Sequence, residues 1–145
     1  MEKNMTEKES GINSVLLEHN VFIIWKPEYN LGITIIDEQH RGIVSIINSL
    51  HFGTQCSYVK DILTPTIAML RHYALMHFQT EEYFYETINI ADINNHHRLH
   101  QEYTLKLDKI ESKSTLDKDT YHLMGFLKEW WINHICEEDR KSFFP

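Results

Sequence analysis

The chain has 145 residues, a hydrophobic fraction of 42% and a formal net charge of −7, values that fit one folded domain burying about two thirds of its extended surface. The negative charge argues against nucleic acid and anionic membranes as partners, because both attract clustered lysine and arginine. No stretch has the length of a membrane span, and the polar start Met1 to Gly11 lacks the apolar core of a signal peptide. We therefore expect no nucleic-acid or membrane partner and, by default, a cytoplasmic location.

We divide the chain into a polar amino-terminal tail over residues 1–20 and one domain over residues 21–145. Residues 14–30 are rich in apolar side chains without a clean period, which predicts a largely extended arm that packs across the domain and is anchored by Trp25. The two cysteines, Cys56 and Cys136, are too few for a disulfide scaffold and lack metal-ligand spacing. We interpret both as structural thiols.

Four stretches of the chain carry apolar residues at helical spacing, and the chain contains five glycines and three prolines. The stripes run over residues 36–50, 67–84, 93–110 and 123–134. The first is predicted to begin near Thr34 and to end at the break Phe52-Gly53, and Asp92 is a candidate cap of the third. Short connections between four such helices favour an antiparallel up-and-down four-helix bundle, so the predicted fold class is all-α.

The start of the second helix remains open in the sequence. Pro65 is either a first-turn proline with Thr64 as the cap, or an interior proline that kinks a helix beginning near Tyr58. The pattern of apolar residues is compatible with both alternatives.

Seven side chains able to bind metal continue the apolar faces of these helices: His40, His77, Glu81, His96, His100, His134 and Asp139. Two of the pairs, His77 with Glu81 and His96 with His100, are four residues apart and so lie one turn apart on one helix face. An unpaired ionisable group on a buried face is costly, and coordination satisfies several such groups at once. Five imidazoles and two carboxylates suit two iron ions that share bridging carboxylates.

The spacing of His134 and Asp139 is less favourable, because residues five apart are separated by about 140° on an ideal helix. We therefore expect Asp139 to reach the site from a last turn that loosens or ends there. Glu82 is predicted to face solvent. The remaining histidines fall off the apolar faces and are predicted to lie at the surface: His19, His51, His72, His97 and His122.

From Trp25 to Asp139 the chain resembles the bacterial hemerythrins, the oxygen-binding non-haem diiron proteins. The resemblance lies in Trp25, in the segment Leu31-Gly-Ile-Thr-Ile-Ile-Asp-Glu-Gln-His40 and in His77-Phe-Gln-Thr-Glu81-Glu82. It extends to His96 with His100, and to Trp130-Trp-Ile-Asn-His134-Ile with Asp139. All seven ligand positions of the family match.

The resemblance implies a diiron centre with dioxygen as its partner. One iron would be held by His96, His100 and His134 and the other by His40 and His77, with Glu81, Asp139 and an oxo or hydroxo group bridging both. The second iron is then one ligand short, and the family binds dioxygen end-on at that position. No protein acid, base or nucleophile is required, so no catalytic residue is expected.

One departure from the family falls near this pocket. The family usually has leucine where this chain has Trp131, one turn before the ligand histidine, so Trp131 is expected to face the oxygen pocket. Its larger indole would either narrow the pocket and exclude water, or occupy the space that dioxygen needs.

Three functions compete. The first is oxygen storage, delivery or sensing, where sensing would need a separate protein partner. The second is a diiron enzyme acting on peroxide, nitric oxide or ferrous iron, and the third is a bundle that holds metal poorly and serves only for interaction. Histidine-rich ligation favours reversible binding over oxygen activation, so we expect an oxygen-binding protein rather than an enzyme.

Overall fold

A computed structural model of the protein describes residues 21–55, 59–88, 92–112 and 119–144. Four long helices, α1 (Thr34–Gln55), α2 (Val59–Ile88), α3 (Ile93–Ser112) and α4 (Asp119–Trp130), form an antiparallel up-and-down bundle. The chain continues α4 directly as a π-helix, Trp131–Asp139, and then as the short helix α5, Arg140–Phe143. The described ranges contain no β-strand, and the predicted all-α bundle is confirmed.

Three helix ends bear on the predictions. Helix α1 continues through the expected break at Phe52-Gly53 as far as Gln55, and Gly53 is buried within it. Helix α2 begins at Val59, so Pro65 is an interior proline, whose missing N–H removes one backbone hydrogen bond. Asp92 directly precedes α3, and its carbonyl accepts a hydrogen bond from the backbone N–H of His96, as the residue at a helix start does.

The amino-terminal arm is described from residue 21 and is non-helical up to α1, apart from a 3₁₀ turn at Pro27–Tyr29. The backbone N–H of Ile23 donates to the side-chain oxygen of Asn48, and the Asn48 amide donates back to the Ile23 carbonyl, each at 2.8 Å. Trp25 packs edge-on against Trp131. The predicted anchoring by Trp25 is therefore confirmed for this part of the arm, whereas residues 1–20 and Cys56 lie outside the described residues.

The junction between the arm and α1 is fixed by one carboxylate. Asp37 accepts hydrogen bonds from the backbone N–H groups of Leu31 and Gly32, at 2.6 and 3.0 Å. Gly32 has a φ of +83°, a conformation that side chains disfavour and glycine tolerates. The arm consequently enters the bundle at a defined angle, with Leu31 buried.

The four helices bury their apolar faces in one continuous core. Its most deeply buried members include Ile43, Ile47, Leu50, Leu70, Leu123, Leu127 and Ile135. The half-buried Cys136 packs against this core, in agreement with a structural thiol. Within the described ranges, none of the helices combines the length and the apolar character that crossing a bilayer requires.

Candidate metal centre

The structure brings all seven predicted site residues together inside the bundle. They come from α1, α2, α3 and the π-helix, and each is at most 3% exposed: His40, His77, Glu81, His96, His100, His134 and Asp139. A cluster of this polarity in a bundle core requires compensating interactions, because burying polar groups without partners is costly.

The two carboxylates lie between two sets of imidazoles. Glu81 Oε1 is 3.2 Å from the Nε2 atom of His77 and 3.7 Å from that of His40. The other oxygen of the same carboxylate, Oε2, is 3.2 Å from His100 Nε2 and 3.8 Å from His134 Nε2. Glu81 therefore directs one oxygen to each set.

Asp139 divides its oxygens in the same way. Its Oδ2 atom is 3.3 Å from the Nε2 atom of His40. Its Oδ1 atom is 3.4 Å from His134 Nε2 and 3.6 Å from His96 Nε2. Both carboxylates thus separate a side with His40 and His77 from a side with three imidazoles.

Two groups of donors in this cluster are compact enough to hold a metal ion, and they share Glu81. The ligand atoms of each group lie within 4.8 Å of one another. One group consists of His40, His77, Glu81 and Asp139, and the other of Glu81, His100 and His134. His96 belongs to neither group, and its Nε2 atom lies beside Asp139 Oδ1.

Many inward-facing atoms of the cluster are buried without a hydrogen-bond partner among the described residues. They include the Nε2 atoms of His40, His77, His100 and His134, both oxygens of Glu81 and Oδ2 of Asp139. Leaving buried donors and acceptors unpaired is destabilising, whereas metal coordination would satisfy them together. The residues therefore fit a metal site with mixed nitrogen and oxygen donors.

The carboxylates and the imidazoles of the cluster shift one another's pKa values. Burial disfavours the charged form of His40, but Asp139 and Glu81 outweigh it and raise the pKa of His40 to about 9. Burial also opposes ionisation of Glu81, yet the facing imidazoles, His77 above all, hold the pKa of this carboxyl well below its usual range. This shift favours the ionised form of Glu81, which is the form in which a carboxylate binds metal.

The π-helix explains how His134 and Asp139 meet. In a π-helix each N–H bonds to the carbonyl five residues earlier, so residues five apart fall on nearly the same face. The predicted loosening of the last turn is confirmed over the nine residues Trp131–Asp139. The helix does not end there, however, because α5 continues it.

Two neighbours of the predicted ligands have a role that the sequence did not reveal. Gln39 accepts a hydrogen bond from His77 Nδ1 at 3.1 Å and donates one to Thr80 at 3.0 Å. Glu82, which was predicted to face solvent, lies with its Oε1 atom 2.9 Å from His100 Nδ1, so that prediction was wrong. Each contact joins two helices, and helical spacing within one segment gives no signal for it.

Tyr85 and Ser142 complete the surroundings of the three-imidazole side. The Tyr85 hydroxyl is 3.5 Å from Asp139 Oδ1, and burial with the nearby carboxylates raises the pKa of Tyr85 far above its ordinary value. Tyr85 therefore stays a neutral donor. The Ser142 hydroxyl lies 3.3 Å from both ring nitrogens of His96 and donates to the carbonyl of Glu138.

Aromatic rings cover the cluster on both sides. Trp131 is 3% exposed, and its ring centroid is 6.3 Å from that of His40. On the three-imidazole side, Phe78 stacks on His100 with a centroid distance of 4.0 Å and an angle of 9°. These apolar rings limit the access of water to the cluster.

Comparison with known proteins agrees with this site. The family profile "Hemerythrin HHE cation binding domain" matches residues 31–144. Bacteriohemerythrin of Pseudomonas aeruginosa (strain UCBPP-PA14) is 30% identical over 118 residues, which are 81% of this chain and 76% of that protein. Bacteriohemerythrin of Clostridium acetobutylicum is 29% identical over 124 residues, which are 81% of this chain and 96% of that protein.

The fold has similar solved structures as well. The crystal structure of a leucine-to-alanine mutant of hemerythrin matches with a TM-score of 0.74 at 23% identity, covering 84% of this chain and 95% of that one. At this identity the likeness supports the bundle fold alone. The profile, in contrast, spans most of the sequence and every residue of the buried cluster. The chain therefore belongs to the hemerythrin HHE cation-binding family, a family of non-haem iron proteins that bind oxygen.

Proposed function

We propose that this chain binds dioxygen reversibly at a pair of iron ions held by the seven clustered residues. The observation that carries the proposal is the division of the carboxylate oxygens of Glu81 and Asp139 between two sets of imidazoles. A carboxylate with its two oxygens facing separate donor sets is arranged to bridge two ions. Mixed nitrogen and oxygen donors of this kind suit non-haem iron.

The two sides of the cluster are unequal, and this inequality supports a place for dioxygen. His96, His100 and His134 lie on one side, whereas the other side has His40 and His77. With both carboxylates shared, the second side provides one protein donor fewer. Iron bound at these residues supplies the electrons that reversible dioxygen binding requires.

The side chains around the two-imidazole side would keep that position dry. Trp131 lies against His40, and Trp25 and Tyr29 pack against the indole with centroid distances of 5.7 and 5.6 Å. Excluding water and protons slows the loss of bound oxygen in a reduced form. This arrangement supports Trp131 as the residue that shapes the oxygen pocket.

The donor set favours an oxygen-binding protein over an enzyme. Bundle proteins built on two Glu-x-x-His motifs use carboxylate-rich ligation, whereas this cluster has five imidazoles and two carboxylates. Storage, delivery and sensing of oxygen would all use the same site.

An optical titration tests the proposal. The iron-loaded, reduced protein is exposed to increasing oxygen and then purged with argon, while its visible spectrum is followed. We expect an oxygen-dependent absorption that disappears on purging and returns on re-exposure. Irreversible conversion to an oxidised spectrum, together with turnover of peroxide, nitric oxide or ferrous iron, would contradict reversible binding and favour the enzyme.

A further inference from the structure

The outer nitrogen of His100, Nδ1, faces away from the cluster and is hydrogen-bonded to a carboxylate. His100 Nδ1 donates a hydrogen bond to Glu82 Oε1 at 2.9 Å, and the Nδ1 atom of His97 lies 3.0 Å from the same oxygen. The side chain of His100 is 4% exposed, that of Glu82 26% and that of His97 37%. Glu82 thus lies between a buried imidazole of the cluster and a histidine at the surface.

The corresponding contact on the other side of the cluster is uncharged. His77 Nδ1 donates to the amide oxygen of Gln39 at 3.1 Å. The amide is oriented by its own bond to Thr80, whose hydroxyl donates in turn to the carbonyl of Met76. One side of the cluster therefore has a neutral outer partner and the other an anionic one.

The hydrogen bond to Glu82 determines which nitrogen of His100 carries the proton. With the proton on Nδ1, the Nε2 atom has a free electron pair with which it can bind metal. This atom is directed into the cluster, 3.2 Å from Glu81 Oε2. A carboxylate in this position fixes the ring orientation of a metal-binding histidine and increases its basicity, more strongly than a neutral amide does. His97 restrains the carboxylate from the solvent side.

We propose that Glu82 is a positioning residue of the metal centre, which orients His100 through its outer nitrogen and, by its charge, stabilises the oxidised state of the ion that His100 holds. The inference rests on the proposed function, because it requires metal at the cluster. Gln39 positions His77 without adding charge. The two sides of the centre would accordingly differ in the negative charge beside their histidine ligands as well as in the number of imidazoles.

Cobalt(II) titration of the metal-free protein, followed by visible absorption, tests the positioning role. We compare Glu82→Gln, whose amide oxygen still accepts a hydrogen bond, with Glu82→Ala, which lacks an acceptor. The matched control is Glu86→Gln, an exposed glutamate one turn further along α2. We expect Glu82→Ala to weaken binding of one of the two ions about 10- to 100-fold, with Glu82→Gln close to the original protein and to the control.

The reduction potential of the iron-loaded protein tests the role of the charge, since a side chain with a purely structural role would not shift it. Glu82→Gln should raise the potential relative to Glu86→Gln, because the anion that stabilises the oxidised ion is gone. Unchanged affinity in Glu82→Ala and an unchanged potential in Glu82→Gln would overturn this inference. An original protein that binds neither cobalt nor iron at the cluster would instead overturn the proposed function.

Discussion

The indole of Trp131 lies edge-on to the imidazole of His40, with ring centroids 6.3 Å apart and an interplanar angle of 83°. Two rings of the amino-terminal arm, Trp25 and Tyr29, press against the same indole at 5.7 and 5.6 Å. The arm therefore holds Trp131 against the side of the cluster that has fewer imidazoles. If dioxygen binds on that side, the indole controls the space that it enters.

Replacing Trp131 with leucine should accelerate oxygen binding, because the smaller side chain leaves room above His40. The oxygenated protein should also decay faster, since water reaches the site more easily. Stopped-flow mixing of the reduced, iron-loaded protein with oxygen gives both rates. Oxygenation of the leucine variant alone would show instead that the indole fills the oxygen position.

Trp130→Leu is the matched control for this experiment. Trp130 is also buried, but its ring lies parallel to that of His134, at 6.2 Å and 12°, on the three-imidazole side. The control removes the same volume and should leave the oxygen association rate unchanged. Equal rates in Trp131→Leu and the original protein would show that Trp131 acts through packing alone.

Helical periodicity predicted the two pairs of clustered residues on α2 and α3, because it decides which residues of one helix share a face. His77 and Glu81, like His96 and His100, lie one turn apart in the structure as their spacing requires. Contacts between helices could not be predicted from periodicity within one helix. The bond from His100 to Glu82 depends on how α2 and α3 are rotated against each other, which no pattern within one segment specifies.

Two local features show the same limit. The five-residue spacing of His134 and Asp139 predicted a loosened turn, but the ideal helical period could not indicate a nine-residue π-helix that continues into α5. Pro65 was compatible with a helix start and with a helix interior. The structure has it inside α2, where packing of the helix outweighs one lost backbone hydrogen bond.

Glu81→Ala should reduce iron binding more than His40→Ala, because Glu81 faces both sets of imidazoles and His40 faces one. We expect His40→Ala to keep about one iron per chain and Glu81→Ala to keep less. Metal at 100 times its Kd stabilises a protein by about 2.7 kcal/mol, and Glu81→Ala should lose this increment. Melting temperatures measured with and without iron give this increment. An equal change in melting temperature in the metal-free and iron-loaded forms would indicate that Glu81 acts through packing.

Asn48→Ala should release the arm from the bundle. The substitution removes both hydrogen bonds to the Ile23 backbone, each contributing about 1 kcal/mol, so we expect a loss of about 1 to 2 kcal/mol in the free energy of unfolding. Urea unfolding measures the loss, with Asn94→Ala at an exposed position of α3 as control. Identical unfolding of the two variants would mean that other contacts hold the arm.

Two glycine substitutions should have opposite effects on stability. A Cβ atom at Gly42 would collide with the Tyr73 hydroxyl, whereas at Gly125 it would meet nothing within 4 Å. Gly42→Ala should therefore cost about 1 to 3 kcal/mol, and Gly125→Ala, inside α4, should gain up to about 1 kcal/mol of helix propensity. Urea unfolding of both variants tests this, and a neutral Gly42→Ala would show that Tyr73 moves aside freely.

The content of iron per chain is the most direct test of a diiron site. Metal-free protein is loaded with ferrous iron under anaerobic conditions, freed of unbound metal, and assayed for iron, zinc and protein. Seven donors with two shared carboxylates should retain about two irons per chain. A ratio near one, or zinc retained in preference to iron under iron-replete conditions, would contradict the diiron centre.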